Sequence, residues 1–189
     1  DLARLLDHLR WDSALVAGAS MGGCVALAFV KKYPRRVSAL GLIDTTAWYG
    51  ADAPRQWEER AQKALDRGLE ALVDFQVTRW FSEAFRAAHP EIVSQCVSTF
   101  LGNDVQAYAA TCRMLGAADL RSILSTIRVP TAVMVGEEDY ATPVAMAEEL
   151  RKGIAGSTLT VLKKARHLTP LEKPEEIASQ LQRLLQPVA

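Results

Sequence analysis

A glycine-rich turn, Gly18-Ala19-Ser20-Met21-Gly22-Gly23, constrains this chain more than any other feature. The apolar run at 14–17 before it has the length of a strand buried on both faces, and residues 22–33 after it follow a helical pattern. A serine in such a turn presents its hydroxyl at the carboxyl end of the strand, beside the N-terminus of the helix. The turn therefore predicts a nucleophile, Ser20, with the backbone N–H of Met21 as an oxyanion donor. The alternative is a plain glycine-rich connection.

The elements around the turn alternate between helix and strand. An opening helix with leucines at helical spacing precedes the strand at 14–17, and a second apolar strand follows at 37–43. Further strands are predicted at 131–135 and 159–162, with helices at 143–153 and 174–186. This α-β-α-β order predicts a parallel sheet with crossover helices.

The middle of the chain has a different pattern, without a convincing strand. It contains helical segments at 55–67, 68–81, 90–101 and 104–116. The sequence therefore predicts three segments, namely an α/β core at 1–44 with the serine turn, a helical insert at 45–118, and a second part of the core at 119–189.

A serine nucleophile needs a base, and the chain has only three histidines. His8 lies in the opening helix and His89 in the helical insert, where both are expected to be solvated. His167 follows the last predicted strand. Because loops after parallel strands open at the same edge of a sheet as Ser20, we expect His167 to be the base.

The acid that orients the base should lie at the same edge. Asp139 follows the strand at 131–135 and is the preferred candidate, although an aspartate at this position could instead cap a turn. Asp44, directly after the strand at 37–43, is the second candidate. Glu137 and Glu138 are expected to be solvated turn residues.

Composition excludes several other classes of protein. The chain of 189 residues has 22 basic and 22 acidic side chains, so it lacks the overall charge that would attract nucleic acid or an anionic membrane. No apolar run approaches the roughly 20 residues that span a bilayer. The three cysteines lack CxxC spacing, which argues against a disulfide framework or a zinc site and favours buried thiols in a cytoplasmic protein.

Motifs along nearly the whole chain resemble those of a known superfamily. Besides the serine turn, they are Asp44-Thr45-Thr46, Arg79-Trp80-Phe81, the segment 107–112, Gly136-Glu137-Glu138-Asp139 with Thr142-Pro143, and the segment 167–175 that begins with His167. In these motifs the sequence resembles the α/β-hydrolases, and within them the 3-oxoadipate enol-lactonases and related esterases.

The resemblance implies an α/β-hydrolase fold and a serine hydrolase acting on a small ester or lactone, without metal or organic cofactor. Ser20 would be the nucleophile, His167 the base and Asp139 the acid, in the chain order of the superfamily. Carbon–carbon bond hydrolysis, perhydrolysis, ligand binding without turnover, and an inactive fragment remain alternatives.

The same resemblance implies that the insert is a cap over the substrate. Arg79 and Arg113 would then meet an anionic substrate, with Trp80 and Tyr108 as walls. A solvated helix face with an ordinary apolar core explains these four residues equally well.

Two departures from the family pattern are visible. Arg166 stands before the base histidine, where such families commonly have glycine. The N-terminal half of the family sheet, which carries the second oxyanion donor, is absent, so the strand at 14–17 should be an open edge. We expect a longer protein, or another copy in a homo-oligomer, to complete the sheet.

Overall fold

The computed structural model describes residues 1–186, in which four parallel strands form one sheet in chain order. The predicted parallel sheet is thus confirmed. The strands are β1 (Ala14–Ala19), β2 (Val37–Ile43), β3 (Thr131–Gly136) and β4 (Thr158–Leu162).

The two middle strands are buried on both faces. Along β3, Val133 and Val135 belong to one apolar cluster, whereas Ala132 and Met134 belong to another. This alternation follows from the period of two residues in a strand. Helices cover the sheet on each side, so its polar chemistry is confined to the strand ends.

Contacts divide the chain into two compact units, residues 1–47 with 120–189 and residues 48–119. The first unit, called the sheet unit below, contains four strands and six α-helices within residues 1–186. These are α1 (Leu2–His8), α2 (Met21–Lys32), α8 (Arg121–Leu124), α9 (Val144–Gly153), α10 (Thr169–Glu172) and α11 (Pro174–Arg183).

The second unit, called the helical unit, contains the other five helices. α3 and α7 pack against each other, and the fully buried small side chains of Ala61, Ala64 and Ala109 allow their backbones to approach closely. The helices are α3 (Ala53–Arg67), α4 (Val73–Trp80), α5 (Glu83–Ala88), α6 (Pro90–Leu101) and α7 (Val105–Ala117).

The helical unit differs locally from its predicted elements. The segment 68–81 is not one helix, because Gly68 has a φ of +75° and a 3-10 turn at Leu69–Leu72 precedes α4. The helix α5 was not predicted. It begins after Ser82, whose side-chain oxygen accepts a hydrogen bond from the N–H of Phe85 and so caps the helix.

The prediction that the first strand is buried on both faces is wrong for this chain. Val16 is the one fully buried residue of β1, and Ala17 is exposed. Within residues 1–186, β1 pairs only with β2 and is an edge strand. The opening helix is also less buried than its leucine spacing suggests, since Leu5 is 51% exposed.

In the part of the chain that the structure describes, no helix is both long and apolar enough to cross a membrane.

Candidate active site

Ser20 connects β1 to α2 with a φ of 52° and a ψ of −119°, a backbone conformation that side-chain-bearing residues rarely adopt. Its N–H donates to the carbonyl of Ile43 over 2.9 Å and continues the hydrogen bonding between β1 and β2. Met21 follows as the first residue of α2. The first N–H groups of a helix have no acceptor within the helix, so the Met21 N–H lies beside Ser20 as a donor.

Two glycines make the turn possible by close packing. A Cβ on Gly18 would lie 2.1 Å from the carbonyl oxygen of Gly22, and a Cβ on Gly23 would lie 2.4 Å from the side chain of Thr45. Gly22 itself has no atom within 4 Å of its Cβ position. Close packing at the turn therefore requires glycine at positions 18 and 23, whereas position 22 has room for a side chain.

The segment after β2 forms hydrogen bonds with the serine turn and the helix that follows it. The hydroxyl of Thr45 donates to the carbonyl oxygen of Ser20 over 2.7 Å. The thiol of Cys24 in α2 donates to the carbonyl oxygen of Thr46 over 3.3 Å. These contacts tie Ser20 and the start of α2 to the segment after β2, and such support can maintain a strained backbone.

His167 is the histidine that the structure brings to Ser20. Its Nε2 lies 2.7 Å from the Oγ of Ser20, and its Nδ1 lies 2.8 Å from the Oδ2 of Asp139. With the proton on Nδ1 donated to the carboxylate, Nε2 accepts from the serine hydroxyl. The side chain of His167 is buried, whereas His8 and His89 are exposed.

The loop that carries His167 reaches this position because of Gly136 at the end of β3. A Cβ at Gly136 would lie 2.1 Å from the carbonyl oxygen of Arg166 and 2.5 Å from that of Ala165. The N–H of Glu138 also donates to the carbonyl of Ala165 over 2.9 Å. A side chain at position 136 would push this loop away from the end of β3.

Asp139 is buried and accepts hydrogen bonds from four groups. Its Oδ1 accepts from the N–H groups of Ala141 and Thr142, and its Oδ2 accepts from the hydroxyl of Thr142 and from His167. Burial is the largest influence on its pKa and opposes ionisation. The hydrogen bond and charge of His167, together with the Thr142 donors, outweigh it and lower the pKa of Asp139 below its ordinary value.

Asp44, the second candidate for the acid, serves different partners. Its carboxylate accepts from the N–H of Gly136 over 3.1 Å, and from the N–H and hydroxyl of Thr169 over 3.0 and 2.6 Å. The residue is fully buried, and burial raises its pKa well above the ordinary value, with the charge of Asp139 adding to the rise. Asp44 therefore joins the ends of β2 and β3 to the loop after His167.

Charged side chains beside the predicted acid and base form ion pairs with other side chains of the sheet unit. The guanidinium of Arg166 lies 3.7 Å from the carboxylate of Glu138 and 5.7 Å from the ring centroid of Tyr140. Glu137 is exposed and pairs with Lys163 over 2.6 Å. The arginine before His167 thus faces a carboxylate and an aromatic ring.

The four predicted substrate-contacting residues lie in the helical unit. Trp80 and Tyr108 both meet the ring of Phe100 edge-on, with centroids 5.5 Å apart in each pair. Arg79 lies over the rings of Trp57 and Phe75. Arg113 donates two hydrogen bonds of 2.8 Å to the carboxylate of Glu58.

The sequence interpretation missed the threonines that surround the carboxylates. Thr142 stands three residues after Asp139, a spacing at which an aspartate commonly accepts from backbone N–H groups in a turn. This spacing was a usable signal. The contacts of Thr45 and Thr169 depend on how separate loops meet, and no local pattern indicates them.

Within residues 1–186, no three His, Cys, Asp or Glu side chains lie together in a way that could hold a metal ion.

The chain is similar to several known proteins. It is 34% identical over 175 residues to 3-oxoadipate enol-lactonase 2 of Acinetobacter baylyi, an alignment covering 93% of this chain and 64% of that relative. The crystal structure of the enol-lactonase from Burkholderia xenovorans LB400 superposes with a TM-score of 0.91 at 31% identity, covering 98% of this chain and 70% of that one. A thermophilic esterase from Thermogutta terrifontis, solved with malate bound, gives 0.89 at 29% identity, covering 98% and 69%.

This chain thus spans 64% of the length of the Acinetobacter relative. The family model for the alpha/beta hydrolase fold matches residues 1–174, which include Ser20, Asp139 and His167. A parallel sheet with the serine turn at the end of one strand is the architecture expected of that fold. On this evidence the chain belongs to the alpha/beta hydrolase family.

Proposed function

We propose that this chain is a serine-dependent hydrolase that opens an ester or lactone through an acyl-enzyme. The observation that carries the proposal is the continuous hydrogen-bonded series from Ser20 through His167 to Asp139, with distances of 2.7 and 2.8 Å. A nucleophile, a base and an orienting acid in this geometry are the elements of a catalytic triad.

In the proposed reaction, the Oγ of Ser20 attacks the acyl carbon as its proton passes to the Nε2 of His167. The imidazolium then gives this proton to the leaving oxygen, and the bond between the acyl carbon and that oxygen breaks. Water, deprotonated by the same histidine, attacks the acyl-enzyme and releases the acid and free Ser20. For an enol-lactone the leaving enol becomes a ketone, which favours ring opening.

Asp139 and Met21 have supporting roles in this proposal. The buried carboxylate holds His167 with its proton on Nδ1 and stabilises the imidazolium, which its lowered pKa allows because it stays ionised. The N–H of Met21 at the start of α2 stabilises the negative charge that develops on the carbonyl oxygen.

The proposed substrate is a small ester or lactone, in a cytoplasmic setting. Similarity to two proteins named as enol-lactonases and to an esterase supports this class. The helical insert at 45–118 is proposed to select the substrate, with Arg79, Trp80 and Tyr108 as candidates. Arg113 is the weakest candidate because its guanidinium already pairs with Glu58.

The experiment offers the chain an enol-lactone, a p-nitrophenyl acyl ester and a vinylogous diketone. We expect hydrolysis of the lactone and the ester, with an initial burst of p-nitrophenol as the acyl-enzyme forms. The Ser20→Ala variant should show neither burst nor turnover. Cleavage of the diketone alone would overturn the proposal in favour of a carbon–carbon bond hydrolase.

A further inference from the structure

A cation is packed between two aromatic rings in the helical unit. The guanidinium of Arg60, on α3, lies 4.4 Å from the ring centroid of Trp57 and 4.9 Å from that of Phe75 on α4. The guanidinium of Arg79 lies 5.5 Å from the Phe75 ring and 6.0 Å from the Trp57 ring. Both guanidinium groups therefore lie near the same two rings. We call these four residues, Trp57, Arg60, Phe75 and Arg79, the Arg60 cluster.

The groups that act on Arg60 are uncharged at neutral pH. They are the side chains of Tyr108, Cys112 and Tyr49. Burial lowers the pKa of Arg60 and raises the pKa of both Tyr108 and Cys112. Tyr108 and Cys112 therefore hold their protons more firmly and supply no negative charge.

No carboxylate within residues 1–186 makes an ion pair with Arg60. By contrast, Arg55 on the same helix pairs with Glu59 over 2.7 Å, and Arg113 pairs with Glu58. Glu58, which acts electrostatically on Cys112, thus already has Arg113 as its partner. A partly buried cation without a counter-charge is costly, and the contacts with the two rings compensate for only part of that cost.

We propose that the Arg60 cluster is a binding site for the carboxylate of a small organic acid. The guanidinium offers paired N–H donors that match a carboxylate, and the rings of Trp57 and Phe75 offer apolar surface to the carbon chain of the ligand. Phe75 is 40% exposed, and Trp57 and Arg60 are partly exposed.

The test uses butanoate as the probe and butanamide as its neutral match, at constant ionic strength. Binding is followed by the indole N–H signal of Trp57 in nitrogen-15 NMR spectra, assigned with Trp57→Phe. The Ser20→Ala protein is used because binding then needs no turnover, so a failure here leaves the proposed hydrolase activity untouched. We expect a saturable shift of the Trp57 signal with butanoate and none with butanamide.

Two variants complete the test. Arg60→Gln should weaken butanoate binding at least about tenfold, whereas Arg55→Gln, an exposed arginine on the same helix, should leave it unchanged. Arg60→Lys keeps the charge and should retain weaker binding, which covers the case in which Arg60→Gln does not fold. Equal shifts with the amide, a shift that does not saturate, or unchanged binding in folded Arg60→Gln or Arg60→Lys would overturn the proposal.

Discussion

The two units hold their polar groups in different ways. At the carboxyl edge of the sheet, the backbone does much of the holding, since Asp44 and Asp139 each accept hydrogen bonds from two backbone N–H groups. In the helical unit, the guanidinium of Arg60 is held by side chains, namely the rings of Trp57 and Phe75. At the strand ends, backbone N–H groups position the polar side chains. Between packed helices, other side chains position them, and a substitution can remove those contacts.

If this contrast is right, the largest effects on activity come from the sheet edge. His167→Ala should reduce ester turnover by a factor on the order of 10⁶, because the Ser20 hydroxyl loses its base. His8→Ala and His89→Ala, both at exposed positions, should be nearly silent in the same steady-state assay. A severe loss from His89→Ala in a folded protein would place the base in the helical unit instead.

The next largest effect should distinguish the two carboxylates at that edge, Asp139 and Asp44. Asp139→Asn should lower turnover roughly 10⁴-fold, because the amide favours the wrong imidazole tautomer. Asp44→Asn should lower it less, since Asp44 bonds to Gly136 and Thr169. Measured values of kcat for both variants decide the order, and the reverse order would make Asp44 the acid.

A core substitution in the helical unit should lower the stability of the fold more than it lowers the rate of catalysis. Phe100 is 7% exposed and meets both Trp80 and Tyr108 edge-on. Phe100→Ala should lower the free energy of unfolding by about 3–5 kcal/mol through lost burial and a cavity. Urea unfolding followed by circular dichroism measures this loss. An unchanged midpoint would show that the aromatic packing contributes little.

The smallest expected effect is a pH dependence that distinguishes the carboxylates. The raised pKa of Asp44 makes its contribution to stability greatest at low pH, and this contribution is lost as pH rises from about 4 toward the folded-state pKa. The lowered pKa of Asp139 acts in the opposite sense, with stability lost as pH falls through its folded-state pKa.

Urea unfolding at several pH values checks these signs, between about 4 and 7 for Asp44 and between about 2 and 5 for Asp139. Asp44→Asn should remove a decline in stability with rising pH, with a slope of at most about 1.4 kcal/mol per pH unit. Asp139→Asn should instead remove a gain in stability with rising pH. Identical slopes in the wild-type and Asp44→Asn proteins would refute the assignment for Asp44.

The sheet unit could be predicted closely because each element has a strong local signal. Apolar runs bounded by turn residues predicted the strands to within two residues of their observed ends. Because the carboxyl ends of parallel strands lie at one edge of the sheet, Ser20, Asp139 and His167 could be expected to meet there. The open edge at β1 was expected from the missing family strands, whereas the apolar residues of β1 by themselves suggest a strand buried on both faces.

The helical unit could be predicted less well for physical reasons. The helix α5 is six residues long and depends on the Ser82 cap, and Gly68 interrupts what periodicity suggests is a single helix. The Arg60 cluster was not foreseen, because Arg60 on α3 and Phe75 on α4 are distant in sequence and meet only in the folded helical unit. Side-chain contacts between helices have no signature in either helix alone.

The central claim is that Ser20 is a nucleophile activated by His167, and covalent labelling tests it most directly. A fluorophosphonate is added to the wild-type chain, and the modified residue is located by peptide mass spectrometry. We predict one label, on Ser20, that is absent from Ser20→Ala and forms far more slowly in His167→Ala. Labelling that persists in Ser20→Ala, or a wild-type protein labelled elsewhere and not on Ser20, would contradict the account.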